Sequence, residues 1–388
     1  MIAEAREFEE LSGKIVKPSI KNCMNDKISS NKKDCLPTEY TEENIETIKT
    51  SLKNKEEFNK YLTKNNFPEN FELINYVDSG SESNVYHMLI SKKKNDKIKK
   101  NVIMKVIFHS KKQKINKKEI YISTILKNNN IVDFYGYSKL EENKTSYMLT
   151  EFAKYGNLRN FQKKTIKRQY LSESIICFFA YQILNGIYYC HKCKVAHMDI
   201  KPQNVVIDDF LNAKLIDFSI SLNYRNRKPE EQIQLPFRGT NFFMCMQIIR
   251  SETIKIKDLA KVDLYSFGVM LYNMAFSCYP YKLSKGEEEN YELILEKIEK
   301  NKLVFPNTSD YSPYFLDFIS RLLEKDINKR MNLGEAMNHF WIKGAKILLE
   351  EKEKIYNVGI FVSYLLTDHI REFNNYIKQQ NQGILEKT

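Results

Sequence analysis

The 388-residue chain carries 61 Lys and Arg against 49 Asp and Glu, a formal net charge of +12, and has room for one large two-lobed domain or two ordinary ones. Hydrophobic residues at 42% and charged residues at 28% are those of a soluble globular protein, and the longest apolar run, 175–190, is too short to span a bilayer. Seven scattered Cys, an odd number, exclude a disulfide framework and point to a reducing compartment, so the expected location is cytoplasmic, with the nucleus also open.

The first seven residues are charged and lack the apolar core of a signal peptide, and Ile2 is incompatible with myristoylation. Residues 1–70 read as an extension. Segment 10–38 has a disordered composition, and 41–66 has loose helical spacing (Ile45, Ile48, Leu52, Phe58, Leu62) that ends before Pro68. Strand patterns follow at 71–77 and 84–90 around the loop 78–83, then at 101–108, where Val, Ile and Met surround Lys105. Helical spacing over 114–126 precedes two more strands near 133–139 and 145–150. From Tyr155 onward helices dominate, at 172–190, 261–276, 290–301, 312–324 and 333–339. Beyond Trp341 the tail keeps an apolar, helix-compatible pattern (Leu348, Ile355, Phe361, Leu365), which predicts packing on the rest of the chain or on a partner.

Charge is uneven: twelve Lys lie between Ser91 and Glu119. That run is either an electropositive face for acidic proteins or anionic lipid, or a solvated surface. No nucleic-acid recognition module accompanies it. Cys190, His191, Cys193 and His197 have a superficial likeness to a zinc cluster, but no second pair stands at finger spacing.

The chemistry concentrates in His197-Met198-Asp199-Ile200-Lys201-Pro202-Gln203-Asn204. One loop there offers a proton acceptor, a phosphate-directed cation and an amide oxygen for a metal. Asp217-Phe218-Ser219 follows, adding a carboxylate of the kind that a hard divalent cation prefers. An ammonium inside an apolar strand is costly unless paired. Lys105 therefore needs a partner, and Glu119 is the one acid of the helix that follows.

On these residues the chain resembles the eukaryotic protein kinase superfamily in its Ser/Thr branch, over roughly residues 71–343. The family reads H-R-D-x-K-P-x-N, D-F-G and A-P-E where this chain has Met198 for Arg, Ser219 for Gly, and Cys245-Met246-Gln247. The resemblance implies an α+β bilobal protein-kinase fold with a small β-rich N-lobe (about 71–151), a hinge (151–154) and a large helical C-lobe (about 155–343). Extensions would flank it at 1–70 and 344–388.

It also implies ATP and Mg²⁺ as cofactors and protein hydroxyls as substrates. In that frame Asp199 handles the substrate hydroxyl proton and Lys201 neutralises the γ-phosphate. Lys105 holds phosphates while paired with Glu119, and Asn204 and Asp217 take Mg²⁺. Gly80 is the one glycine kept from the Gly-rich loop, where backbone N–H groups must approach phosphates. Val85, Ile103 and Val206 would flank adenine, with Thr150 behind it and the backbone of Glu151 and Ala153 at its edge.

Arg238-Gly239-Thr240 resembles the Ser/Thr substrate-positioning loop, Asp263 the residue bracing the catalytic-loop backbone, and Arg330 a partner for Gln247. Neutral Asn157 and Gln203 imply no strong preference for basic peptides, and the basic N-lobe an acidic one. The runner-up is a pseudokinase scaffold, suggested by the eroded Gly loop, Ser219 and Gln247. A small-molecule phosphotransferase fits Lys201-Pro202 and Gly239-Thr240 less well.

Overall fold

The computed structural model describes residues 71–79, 83–91, 99–108, 117–140, 145–166, 171–306, 310–354 and 361. The helix expected over 41–66, the segment 10–38, Gly80 and most of the tail lie outside them. The chain divides into two compact units, one running to Lys127 and including Val132–Phe152, the other comprising Asn128–Ile131 and everything from Ala153.

The first unit is an antiparallel sheet of β1 (Phe71–Ser79), β2 (Ser83–Ser91), β3 (Lys99–Phe108), β4 (Phe134–Leu140) and β5 (Thr145–Glu151), in the order β1-β2-β3-β5-β4. Strand periodicity explains its two faces. Tyr86, Met88, Val102, Met104 and Val106 alternate onto one face and are fully buried. Val85, Ile103, Lys105 and Thr150 fall on the other, because Val85 pairs with Lys105 and Ile103 with Thr150 across the ladders. Helix α1 is described over Lys117–Ile125; residues 114–116 of the expected helix lie outside the described residues. It buries Ile120 against Met148 and Phe134.

The second unit is built on two helices buried nearly all round, α2 (Glu173–Lys192) and α3 (Leu259–Phe276), as their continuous apolar sequences require. Glu173 lies in the first turn of α2 and His191 and Lys192 in its last, signs that suit the helix dipole. Two small antiparallel ladders follow α2: β6 (Val195–Ala196) with β9 (Leu222–Asn223), and the hairpin β7 (Val205–Ile207) with β8 (Ala213–Leu215). A third pairs β10 (Gln232–Gln234) with β11 (Thr253–Lys255).

After α3 come α4 (Tyr291–Lys300), α5 (Pro313–Leu322), α6 (Leu333–Asn338) and α7 (Ala345–Lys354). A Cβ at Gly268 would lie 2.8 Å from Leu322 Cβ, so glycine lets α3 and α5 approach this closely. Trp341 is fully buried against Phe315 and Phe318. Helix α7 belongs to the tail. It packs on α2 with Ala345 and Leu348 buried, and Phe361 meets the Phe178 ring at 5.3 Å.

Candidate active site

In the first unit, β3 carries Lys105 with its Nζ 2.8 Å from Glu119 Oε1 on α1. Glu119 is almost wholly buried and Lys105 is about one-fifth exposed, so each charge offsets the other's desolvation. Val85, Ile103 and Thr150, all half-buried, continue the sheet face that Lys105 occupies. Glu151 ends β5, its N–H donating to the Asp133 carbonyl and its Oε2 accepting from the Asp133 N–H.

In the second unit the loop between β6 and β7 brings Asp199, Lys201 and Asn204 together. Both Asp199 oxygens are engaged. Oδ1 accepts from the Thr240 hydroxyl at 2.7 Å and the Thr240 N–H at 3.0 Å. Oδ2 accepts from Asn204 Nδ2 at 2.8 Å and lies 2.7 Å from Lys201 Nζ. Lys201 also donates to the Thr240 hydroxyl at 2.6 Å, closing a ring of three side chains. Gly239 makes this ring possible. Its φ is +126°, and a Cβ there would lie 3.1 Å from the Met198 carbonyl oxygen.

The loop backbone is held from α3. Asp263, fully buried, accepts at 2.8 Å from the N–H groups of His197 and Met198 and from His191 Nε2. Burial pushes this carboxyl up, but the His191 hydrogen bond, the nearby imidazoles and the Met198 N–H outweigh it and hold the pKa below the usual carboxylate value. Met198 sits at φ 71°, a left-handed conformation unusual for a non-glycine residue and fixed by that N–H contact.

His197 links the loop to the next motif. Its Nδ1 accepts from the Asp199 N–H at 3.3 Å, which leaves the proton on Nε2 to donate to the Ile216 carbonyl at 3.0 Å. The imidazole also lies against Phe218 at 5.0 Å. His191 was not legible as part of this network. The Tyr224 hydroxyl donates to the His191 carbonyl at 3.1 Å and stands 3.0 Å from its Nδ1, with burial, then the Asp263 charge, pushing the Tyr224 phenol up.

The donor set suits Mg²⁺. Asn204 spends its amide nitrogen on Asp199, at 2.9 Å from the carbonyl and 2.8 Å from Oδ2, so its amide oxygen is turned away as an acceptor. Ile216 donates to the Asn204 carbonyl at 3.0 Å, and Asp217 follows at φ 64°. Among the described residues no three His, Cys, Asp or Glu gather as a metal cage. The fitting cation is one that keeps waters and phosphate oxygens in its shell, as Mg²⁺ does.

Val206, half-buried in β7, bridges to Asn157, and Ala153 is buried at the start of this unit. Arg330, nearly fully buried, donates from its NH2 nitrogen to Gln247 Oε1 at 3.0 Å, and Gln247 Nε2 donates to the Lys325 carbonyl at 3.1 Å. A neutral amide thus uses both its ends, which a carboxylate could not do.

The model of the protein kinase domain matches residues 71–342, and the chain belongs to this family. It is 30% identical over 280 residues to an Aurora kinase of Dictyostelium discoideum, 71% of this chain and 66% of that protein. An Aurora kinase of Eremothecium gossypii is 30% identical over 230 residues, 59% and 57% of the two chains. Serine/threonine-protein kinase Aurora-2 of Arabidopsis thaliana is 27% identical over 277 residues, 70% of this chain and 89% of that one. Against the first two relatives the chain spans less than two thirds of their length. Among the described residues no helix is long and apolar enough to cross a membrane.

Proposed function

We propose that this chain is a serine/threonine protein kinase, with residues 71–343 as its catalytic domain, that moves the γ-phosphoryl group of ATP onto protein hydroxyls with Mg²⁺. The carrying observation is the Asp199 carboxylate, fixed between Lys201, Thr240 and Asn204. The names of the relatives, Aurora and other serine/threonine kinases, favour the same reading.

When bound, Mg-ATP supplies the transferable group and the cation that offsets its charge. Asp199 orients the substrate hydroxyl and accepts its proton, and Thr240 keeps that carboxylate in one rotamer. Lys201 offers positive charge to the transferring phosphoryl group. Lys105, steadied by Glu119, holds the phosphates nearer the nucleoside, and Asn204 and Asp217 present oxygens to Mg²⁺. The family pattern assigns Val85, Ile103 and Thr150 of the first unit and Val206 of the second to the apolar walls for adenine, the Glu151 and Ala153 backbone to its edge, and Gly80 to the phosphates.

Substrates follow from charge. Asn157 spends its side chain capping the Asn160 N–H, and Gln203 is neutral, so upstream arginines gain no acidic partner at these positions. Acidic sequences are the favoured targets of the Lys-rich segment. The described cysteines are free thiols, which suits the cytoplasm. Activity does not depend on phosphorylation of Ser221, Tyr224 or Thr240. The first two are buried and bonded to the His197 and His191 carbonyls, and the third is bonded to Asp199.

The test is incubation with labelled Mg-ATP and mixed protein substrates beside Asp199→Asn and Lys105→Met. Phosphoserine or phosphothreonine from the wild type alone is expected. A folded wild type that labels nothing would overturn the reading.

A further inference from the structure

Two short strands join the residues proposed for Mg²⁺. Asn204 directly precedes β7, and Asp217 follows β8 by two residues. Their spacing therefore depends on the turn at the far end, Asp208–Asn212. That turn is wound about one carboxylate. Asp208 Oδ1 accepts from the N–H groups of Phe210 at 2.9 Å and Asn212 at 2.8 Å, and Oδ2 accepts from Asn212 Nδ2 at 2.8 Å. Leu211 adopts φ 59°, which an apolar side chain tolerates only when its surroundings impose it. Gln182 of α2 reaches the same turn, accepting from the Ala213 N–H at 3.0 Å and lying 3.4 Å from the Leu211 carbonyl.

One further hold comes from α7, outside residues 71–342 that match the family. Lys352 Nζ donates to Asn212 Oδ1 at 2.8 Å, with its ammonium 5.8 Å from the Phe178 ring centre. Burial lowers the Lys352 pKa, and the Asp208 charge opposes that shift. A desolvated cation is tolerated where acceptors and a counter-charge meet it. Here the Asn212 amide connects the two, accepting from Lys352 and donating to Asp208. Helix α7 is anchored independently by buried Ala345 and Leu348.

We propose that Lys352 is a positioning residue: through Asn212 and Asp208, the C-terminal helix fixes the β7–β8 turn and so the spacing of Asn204 and Asp217. Its consequence for catalysis rests on the kinase reading; its geometry does not. Each strand has three residues, about 10 Å of chain, so a change in the turn reaches the ligands without a flexible joint. Hairpin register follows turn geometry, and a slip would turn both ligands away.

The test compares the full chain with Lys352→Met, Asn212→Ala and Lys352→Arg. Without nucleotide, amides 205–217 exchange hydrogen about tenfold faster in the first two variants, while those of α3 are unchanged. Arg restores the wild-type rates. In phosphotransfer, the Mg²⁺ concentration for half-maximal rate rises about three- to tenfold in Lys352→Met, less than the ~10–100-fold typical of groups bonded directly to a ligand.

Wild-type exchange at 205–217 in both variants, or an unchanged Mg²⁺ requirement in an active Lys352→Met, overturns the proposal. A wild-type chain without phosphotransfer refutes the kinase reading alone, and the exchange comparison still decides for or against the strap.

Discussion

Replacing Asp263 with asparagine tests the contact that holds the catalytic-loop backbone. The carboxylate is fully buried and accepts three hydrogen bonds at 2.8 Å, from His191 Nε2 and the N–H groups of His197 and Met198. Asparagine keeps the shape but has one acceptor oxygen, so its NH₂ must face at least one of those donors. An unsatisfied buried donor costs about 1–3 kcal/mol, and lost charge assistance about 1 kcal/mol at each of the other two. Removing a buried charge returns part of its desolvation penalty, leaving a net loss of roughly 2–4 kcal/mol. In a unit of this size that lowers Tm by roughly 5–15 °C.

Activity falls further than stability. Met198 is held at φ 71° by the same carboxylate, and a relaxed Met198 moves the adjoining Asp199. A shift of about 1 Å at a reacting group costs on the order of 10²-fold in rate.

The pH dependence follows from the sign of the shift. The folded pKa of Asp263 is depressed, so its stabilisation is present above the unfolded value near ~3.9 and is lost as pH falls through the lower folded value. The Tm gap between wild type and Asp263→Asn is therefore widest at neutral pH and closes on acidification. Differential scanning fluorimetry and steady-state rates measure both effects. A variant melting within about 1 °C of wild type with full activity would refute the reasoning, given the 2–4 °C expected per kcal/mol.

Gly239→Ala forces a Cβ to 3.1 Å from the Met198 carbonyl at φ +126°, displacing Thr240 from Asp199. The rate drops at least about tenfold and Tm falls by roughly 2–12 °C, as the 1–3 kcal/mol of such backbone strain implies, and unchanged kinetics would count against the Thr240 ring. Glu173 accepts from the Ser312 N–H and hydroxyl at 2.6 Å and from Trp341 Nε1 at 2.9 Å. Burial outweighs these bonds and raises its pKa, so its contribution is full below the unfolded value near ~4.3 and lost as pH rises through the folded one. The Tm advantage of wild type over Glu173→Gln shrinks as pH rises above about 4, and a widening gap contradicts the assignment. Phosphatase treatment leaves the rate within about twofold, far from the ordering effect of an Arg–phosphate pair, because Met198 offers no arginine to a loop phosphate. A many-fold loss of activity would show otherwise.

The legible part of the fold was the part with a strong period. The sheet strands and α2, α3 and α5 emerge from alternation or continuous apolar sequence, within a few residues of their ends. The legible part of the candidate site was local: Asp199, Lys201 and Asn204 share one loop, and Lys105 needed an acid, with Glu119 the one acid of the helix that follows. The ladders β6–β9 and β10–β11 were invisible, because strands of two or three residues carry no alternation and their partners lie far along the chain.

His191 sat beside Cys190 and Cys193 as an apparent helix end, with no sign of Asp263, 72 residues away. The Lys352–Asn212 contact spans 140 residues and joins two ordinary polar side chains. Only tertiary packing brings such pairs together.

The most direct measurement is the single-turnover rate of phosphoryl transfer to a protein substrate by wild type and Asp199→Asn, with Mg-ATP affinity measured separately on both. Loss of a positioned proton acceptor costs ~10²–10⁴-fold in rate, while nucleotide affinity changes by less than about threefold. Equal rates in the two proteins, or a rate loss matched by an equal loss of nucleotide affinity, would contradict the role given to Asp199.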